Sequence, residues 1–259
     1  MEDNPKAIFL SKLRSNANVV TKLPKQIPFN FVLVKPTLLY EKETDSGILM
    51  LPDPDFTSKD STGVEINMAD HAPRYGKVIL LPDELYFNPK LYGTDMTKNT
   101  LEWDTEIEIQ EGDDVWFSYL KGVTGEHYIF NGELYYLMRY DSIYAIKKKE
   151  YPVPINGFIV FEPIKDEWDS DIIIPPDYID VYEDRVGRVL KVSKPNKDYV
   201  YRTSRGEQMV HDNIEVKEGD ICLFDGTVGA HRMYLEGKTF QEYPERYFLF
   251  QRRDIGLIY

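Results

Sequence analysis

The two halves of the 259-residue chain carry the same short motifs in the same order. The matching blocks are FVLVKP at 31–36 with FIVFEP at 158–163, RYGKVI at 74–79 with RVGRVL at 185–190, IQEGDDVWF at 109–117 with VKEGDICLF at 216–224, FNGE at 130–133 with LEGK at 235–238, and two closing apolar stretches that begin at Asp141 and Asp254. Five blocks in unchanged order are hard to obtain by chance, so the pattern indicates a tandem duplication.

The repeated blocks have the character of β-strands. They are short runs of Val, Ile, Tyr and Phe, separated by Gly, Pro, Asp and Asn, and helical periodicity is nearly absent from the chain. The 19 tyrosines and 13 phenylalanines suit half-buried sheet surfaces better than helix faces. The sequence therefore predicts an all-β fold.

The junction of the two repeats is marked by a lysine run and two prolines in KKKEYPVP at 147–154. Prolines remove backbone donors and favour an extended link. The predicted organisation is an N-terminal extension at 1–27, a first domain at 28–147, a linker at 148–153 and a second domain at 154–259.

The N-terminal extension belongs to neither repeat. Asn4 before Pro5 is suited to cap a short helix that carries Ile8, Phe9 and Leu13. A poorly ordered arm is the alternative for this segment.

Composition excludes several classes of function. The formal charge of −13 repels phosphate backbones, so we expect no nucleic-acid partner. No apolar run approaches 18 residues and the first residues are acidic, so neither a membrane span nor a secretory or transit signal is expected. A single cysteine excludes an internal disulfide and fits a reducing cytoplasm.

Metal binding is also disfavoured. Only four histidines accompany that cysteine, and none has ligands at zinc spacing. His127 and His231 hold similar places in the two repeats, where solvated or hydrogen-bonded side chains are expected. We therefore predict no metal site and no cofactor.

The glycine motifs have a structural interpretation. Glu111–Asp113 and Glu218–Asp220 each place a glycine before an apolar strand, where positive φ allows a tight turn. Asn131 followed by Gly132 is a strong signal for a two-residue hairpin.

No enzymatic motif is complete. The stretch 236–239 resembles a phosphate-binding loop without its upstream glycine, and Ser204 lacks the first glycine of a nucleophile elbow. Cys222 lies between apolar residues as a small core residue would. Glu106 and Glu108 alternate with isoleucines, as on the solvent face of a strand. The sequence predicts that the protein is not an enzyme and has no catalytic residues.

The ordered set of blocks, found once in each repeat from about Asn30 to Tyr259, resembles the GroES-type co-chaperonins. These proteins are the lids that close the folding cage of group I (GroEL-type) chaperonins. The resemblance implies two tandem, partly closed GroES-like β-barrels. It also implies a homo-oligomeric ring in the cytoplasm, an unfolded client protein inside the cage, and assistance to ATP-dependent folding without ATP binding by the lid itself.

In this family a mobile loop carries an aliphatic tripeptide that docks on the chaperonin. The matching residues here are Ile48, Leu49 and Met50 in the first repeat, and Ile172, Ile173 and Ile174 in the second. The first loop is longer than usual, with an insertion at 60–67, and the second has Asp171 in place of glycine before its triplet. That aspartate would be expensive to bury, so docking by the second loop is less secure than by the first. The alternative for either triplet is a short strand folded back onto its own barrel.

The energetics of docking favour a ring. Burying three aliphatic side chains yields roughly 5–8 kcal/mol gross, and ordering a loop takes back about 2–5 kcal/mol. Several loops on one ring gain effective concentration, so together they bind firmly and still release. Two repeats per chain do not add up to the seven copies of the usual lid. Three or four chains in one layer, seven chains with one repeat facing the chaperonin, and two stacked layers all stay open.

The resemblance leaves a second hypothesis for function. Bacteriophages also carry divergent lids of this kind, which is compatible with a viral source and the host cytoplasm. The alternative is a ring-forming structural or assembly protein, for example of a virion, that keeps the barrel but does not bind chaperonin. Its contact surfaces would be the N-terminal arm and the insertion near Val64.

Overall fold

A computed structural model describes residues 17–37, 58–59, 65–66, 75–88, 100–118, 126–148, 152–164, 186–203, 206–224, 231–232 and 248–259. Over these ranges the secondary structure consists of β-strands and two 3₁₀ turns, with no α-helix. The predicted all-β class is confirmed. The helix predicted around Asn4 and Leu13 lies outside the described residues.

Eighteen strands follow one another along these ranges. In the first half they are β1 (Asn18–Val19), β2 (Phe31–Pro36), β3 (Ser58–Lys59), β4 (Glu65–Ile66), β5 (Tyr75–Leu80), β6 (Asp114–Phe117), β7 (Glu126–Phe130), β8 (Glu133–Arg139) and β9 (Ile143–Ile146). In the second half they are β10 (Val153–Pro154), β11 (Phe158–Pro163), β12 (Val186–Val192), β13 (Tyr199–Thr203), β14 (Gly206–Val210), β15 (Ile221–Phe224), β16 (His231–Arg232), β17 (Phe248–Gln251) and β18 (Ile255–Ile258).

The first of two compact units contains the described residues up to 84 and those from 109 to 143. Its strands lie side by side in the order β1-β7-β8-β2-β5-β6, and they are antiparallel except for β1 beside β7. Val32, Leu33 and Val34 are all buried, so apolar side chains on both faces of β2 enter the core. A continuous run of β-branched and apolar residues is what a strand covered on both faces requires.

The second unit contains the described residues from 85 to 108 and those from 144 onward. Its main sheet has the order β16-β17-β11-β12-β15-β18, β9 pairs with β10, and β13 with β14 forms a separate hairpin. Phe158, Ile159, Val160 and Phe161 of β11 are fully buried. The predicted boundaries at 28–147 and 154–259 describe repeats along the sequence, and they stay a prediction.

The two halves of the chain repeat the same strand pairing. β2 pairs with β5 and β11 pairs with β12, both antiparallel and both with one register shift. The shift falls between Leu33 and Val34 in β2, and between Val160 and Phe161 in β11, which are equivalent positions of the two repeats. In each half the partner strand carries the extra residue, Ile79 in β5 and Leu190 in β12, so the two β-bulges are equivalent.

The predicted glycine turns are present in both halves. Gly112 and Gly219 have φ of 90° and 95°, and their N–H groups donate to the carbonyl oxygens of Val78 and Val189 at 2.9 and 2.8 Å. Asn131 and Gly132 join β7 to β8 with φ of 51° and 79°. Two consecutive positive φ values are those of a type I′ hairpin, as the Asn-Gly pair predicts.

The closing blocks of the two repeats align differently from the sequence prediction, which matched Asp141 with Asp254. The 3₁₀ turns Tyr140–Ser142 and Arg252–Asp254 precede β9 and β18. Tyr140 N–H donates to Asn30 O in the first unit, and Arg252 N–H donates to Gly157 O in the second. The equivalent of Asp141 is therefore Arg253, so the two aspartates that open these blocks are not equivalent residues.

Candidate functional site

The predicted docking residues fall outside the described residues. They are Ile48, Leu49 and Met50 in the connection from β2 to β5, and Ile172, Ile173 and Ile174 in the connection from β11 to β12. The structure describes the strands at both ends of each connection, so the positions from which the two connections begin and end are defined.

Both connections begin and end at the same point of their strand pair. Thr37 N–H donates to Tyr75 O at 2.9 Å, and Ile164 N–H donates to Val186 O at 3.0 Å. In both halves the next cross-strand pair joins a proline to a glycine; these pairs are Pro36–Gly76 and Pro163–Gly187. The segments that carry the two triplets therefore share one geometry at their base.

The glycine of each basal pair is required by close packing. A Cβ atom on residue 76 would overlap the backbone of Lys35 and Pro36, and one on residue 187 would overlap the ring of Phe161. Neither glycine has positive φ, so the requirement is steric rather than conformational. The sequence shows these glycines in the Arg-x-Gly motif, but only the structure shows what lies against them.

The insertion predicted at 60–67 begins inside a small hairpin. Ser58 and Lys59 of β3 pair with Ile66 and Glu65 of β4. This two-residue ladder forms a sheet separate from the strands of the first unit. The first connection therefore contains secondary structure of its own between the docking triplet and β5.

The second unit contains a buried polar cluster that the sequence analysis missed. Its centre is Arg252, which is 5% exposed. Arg252 Nη1 donates to Ile214 O at 3.0 Å and Nη2 donates to Ser193 O. Burial lowers the pKa of Arg252, which Glu108 partly counteracts. A buried arginine that bonds two loop carbonyls holds those loops in place, which is a structural role.

Asp212 is a buried acidic residue whose carboxylate is poorly stabilised by its surroundings. It is 1% exposed, and neither carboxylate oxygen has a hydrogen-bond partner within the part of the chain that the structure describes. Its backbone N–H donates to Asp198 Oδ1 at 2.8 Å. Burial raises the pKa of Asp212 to about 6, since an isolated carboxylate is costly in a poorly solvated site.

The segment at 100–108 lies between β5 and β6 in sequence, yet it packs within the second unit. Trp103 is buried, with its ring 6.0 Å from that of Phe158, and the Arg253 guanidinium lies 5.0 Å from the Trp103 ring centroid. Arg253 Nη2 also bonds Glu102 Oε1 at 2.9 Å. In the sequence, the only indication that this segment packs against a core is a tryptophan within an otherwise charged stretch.

The solvent-face prediction is wrong for Glu108. Residues 105–110 form no strand, and Glu108 is half-buried, accepting the Asn156 N–H at 2.8 Å, whereas Glu106 is exposed. Burial raises the pKa of Glu108, against the effect of that hydrogen bond. The backbone N–H of a residue 48 positions away needs an acceptor here, which a local pattern does not reveal.

A small cleft lies beside Glu108. Its volume is about 190 Å³. Its lining is formed by Asp104, Thr105, Glu106, Glu108, Lys194, Pro195 and Lys197. Lys197 pairs with Asp104 through a backbone bridge and an Nζ–Oδ1 distance of 3.8 Å. The lining carries three carboxylates against two lysines, and it holds no cysteine, serine or histidine.

The described cysteine and histidine side chains have surroundings typical of residues with a structural role. Cys222 is fully buried, as predicted, and burial raises the pKa of its thiol to about 11. His127 is buried with its ring 4.7 Å from that of Tyr136, and exposed His211 has Nδ1 3.3 Å from Asp198 Oδ2. Throughout the described ranges, no group of three or more metal-ligating side chains is close enough to hold a metal ion.

Among the residues with described structure, none belongs to a helix long and apolar enough to cross a membrane. Comparison with known proteins does not assign the chain to a family: no protein-family model matches it, and no curated protein matches its sequence.

Proposed function

We propose that this chain is a double co-chaperonin that caps a group I chaperonin and assists ATP-dependent protein folding without binding ATP itself. Ile48, Leu49 and Met50 are the principal docking residues, and Ile172, Ile173 and Ile174 form the second set. The fold proposed with this function is a pair of tandem GroES-like barrels, one for each repeat.

The observation that carries the proposal is the shared base of the two connections. Pro36–Gly76 and Pro163–Gly187 occupy equivalent places beside equivalent β-bulges, and each connection holds an isolated aliphatic triplet in a charged stretch. The same Pro–Gly base and the same kind of aliphatic triplet occur at equivalent positions of both repeats. This repetition favours a binding role for the two connections. The surroundings of Cys222, His127 and His211 add no support for catalysis.

The test is ATP-dependent co-sedimentation of the purified chain with a GroEL-type chaperonin. Wild type is compared with Ile48→Asp, Ile173→Asp and the double variant. A charge on a side chain that must enter an apolar groove costs several kcal/mol, so we expect weaker capture for each single variant and loss for the double variant. Ile48→Asp should have the larger effect, since Asp171 already weakens the second triplet.

Val200→Asp is the matched control, because Val200 is an exposed aliphatic residue on β13 outside both connections. It should be captured like wild type. Equal capture of the double variant and wild type would overturn the docking assignment. Absence of wild-type capture with any ATP-bound chaperonin tested would favour the structural or assembly function.

A further inference from the structure

The chain contains two Asn-Gly pairs, Asn131-Gly132 and Asn156-Gly157. All four residues have positive φ, with values of 51° and 79° in the first pair and 59° and 74° in the second. The pairs therefore share one sequence and one type of backbone conformation. They differ in exposure, because Asn131 and Gly132 are exposed whereas Asn156 and Gly157 are buried.

An Asn-Gly pair can react with itself. The backbone nitrogen of the glycine attacks the side-chain amide carbon of the asparagine, and a cyclic succinimide forms as ammonia leaves. Glycine favours this reaction because it has no Cβ atom to hinder the approach. Water then opens the ring, and the product is aspartate or isoaspartate. The reaction requires that the asparagine side chain and the peptide group after it rotate toward each other.

The first pair has room for this rotation. Asn131 and Gly132 form the tip of the β7–β8 hairpin, beyond the last cross-strand pair, which joins Phe130 to Glu133. A Cβ atom on residue 132 would meet nothing within 4 Å, so the space around the tip is open. Within the described ranges, no hydrogen bond outside the strand ladder holds the peptide group between Asn131 and Gly132.

The second pair is held in place by its neighbours. The N–H of Asn156 donates to Glu108 Oε1 at 2.8 Å. Its carbonyl oxygen accepts Asn196 Nδ2 at 3.1 Å and Gln251 Nε2 at 2.9 Å. A Cβ atom on residue 157 would overlap the Asn196 side chain. Rotation of this peptide group would break both bonds to the carbonyl oxygen inside the core, so the pair reacts only after the surrounding structure opens.

We propose that Asn131 is a site of spontaneous deamidation and that the fold protects Asn156 from the same reaction. At Asn131 a bond forms between Gly132 N and Asn131 Cγ, and the bond from Cγ to the side-chain nitrogen breaks. That nitrogen leaves as ammonia with the proton of the Gly132 N–H. Water then cleaves either the new N–Cγ bond, which gives aspartate, or the original peptide bond, which gives isoaspartate. Water is the one co-reactant, and no atom is oxidised or reduced.

The two products affect the hairpin differently. Asp-Gly suits a type I′ turn as Asn-Gly does, so aspartate keeps the hairpin and adds a negative charge. Isoaspartate adds a methylene carbon to the main chain, which a two-residue turn accommodates only with distortion. The strands β7 and β8 contribute buried His127, Tyr136 and Met138 to the first unit. Isoaspartate should therefore weaken this unit, whereas aspartate should not.

The experiment follows both pairs in the full chain at pH 7.5 by peptide mapping with mass spectrometry. The readout is the mass gained when the side-chain NH₂ group becomes OH. We expect this change at Asn131 to be about tenfold faster than at Asn156 or more, since Asn156 reacts only through opening of the fold. The control is the same chain unfolded in urea, where both pairs should react at similar rates. Incubation continues until the unfolded chain has converted both pairs.

An unmodified Asn131 in the folded chain at that time would overturn the proposal, and so would equal rates at Asn131 and Asn156.

Asn131→Asp is the matched variant for the effect on the hairpin. It should show no mass gain at this position and should unfold at the urea midpoint of the wild type. Brief proteolysis of aged wild type in intermediate urea should leave surviving chains depleted of isoaspartate at residue 131 relative to aspartate. Equal survival of the two products, or a lowered midpoint for Asn131→Asp, would overturn the distinction between them. These measurements use no chaperonin, so their outcome is independent of the proposed function.

Discussion

The ring of Phe161 lies directly against Gly187 on the neighbouring strand, so closely that a Cβ atom on residue 187 would overlap it. Phe161 is fully buried, and the backbone oxygen of Glu162 would also be too close to that Cβ atom. We expect Gly187→Ala to lower the free energy of unfolding by about 1–3 kcal/mol, as overpacking does. Urea denaturation followed by fluorescence measures the change.

Gly256→Ala provides the control for that substitution. An added Cβ there would lie 3.5 Å from Leu223 O, an ordinary contact, and Gly256 has no positive φ. Its free energy of unfolding should change by no more than roughly 0.5 kcal/mol. Equal effects of the two alanines would contradict the steric explanation.

The second prediction concerns pH and Asp212. Its pKa of about 6 in the folded chain exceeds the ordinary value of 3.8, so the folded state binds more protons between these values. Its contribution to stability is therefore full below pH 4, is lost as pH rises to about 6, and stays lost above.

Asp212→Asn removes this pH dependence. At pH 7.5 the variant should be more stable than wild type by roughly 1–3 kcal/mol, and the difference should shrink as pH falls toward 4. Asp198→Ala should instead destabilise the chain, because it removes the oxygen that accepts the N–H groups of Asp212 and Asn213. Urea midpoints measured from pH 4 to 8 give the comparison; a pH-independent difference would count against a buried, ionising Asp212.

Trp103 should be important for the stability of the second unit. Trp103→Ala removes a buried ring from Phe158 and Arg253, and we expect a loss of about 3–5 kcal/mol. Glu102→Gln removes the charge from the partly exposed ion pair with Arg253, so its cost should stay below about 1 kcal/mol. Thermal unfolding by circular dichroism ranks the two. Similar costs for both would indicate that the segment is held by charge rather than by packing.

Thiol labelling tests the burial of Cys222. The thiol is fully buried with its pKa raised to about 11, so the folded chain should react with a thiol reagent at pH 7.5 only as fast as it opens. Met209→Cys places a second thiol at an exposed site and should react at once. Rapid labelling of one thiol per wild-type chain would contradict the buried position of Cys222.

The features that sequence reasoning predicted correctly are local. The Asn131-Gly132 hairpin and the turns at Gly112 and Gly219 depend on two or three neighbouring residues, and the all-β class depends on composition repeated along the chain. The inference of a duplication depends on one set of local signals that occurs twice in one order.

The features it missed depend on residues far apart in sequence. Glu108 was predicted to face solvent because its own neighbours alternate, but the Asn156 N–H defines its environment. Arg253 meets Glu102 across 151 positions. A local sequence pattern does not predict such a pair, because each side chain by itself is typical of a surface residue. The docking triplets at 48–50 and 172–174 stay a prediction.

The place of Trp103 has a consequence for how the chain can be divided. A tryptophan that precedes the junction of the repeats fills space beside Phe158, which follows it. A chain divided at the junction of the repeats would leave the second part with a cavity beside Phe158. Residues 154–259 produced alone would therefore lack a ring against which Phe158 packs, and they would need another side chain to replace it.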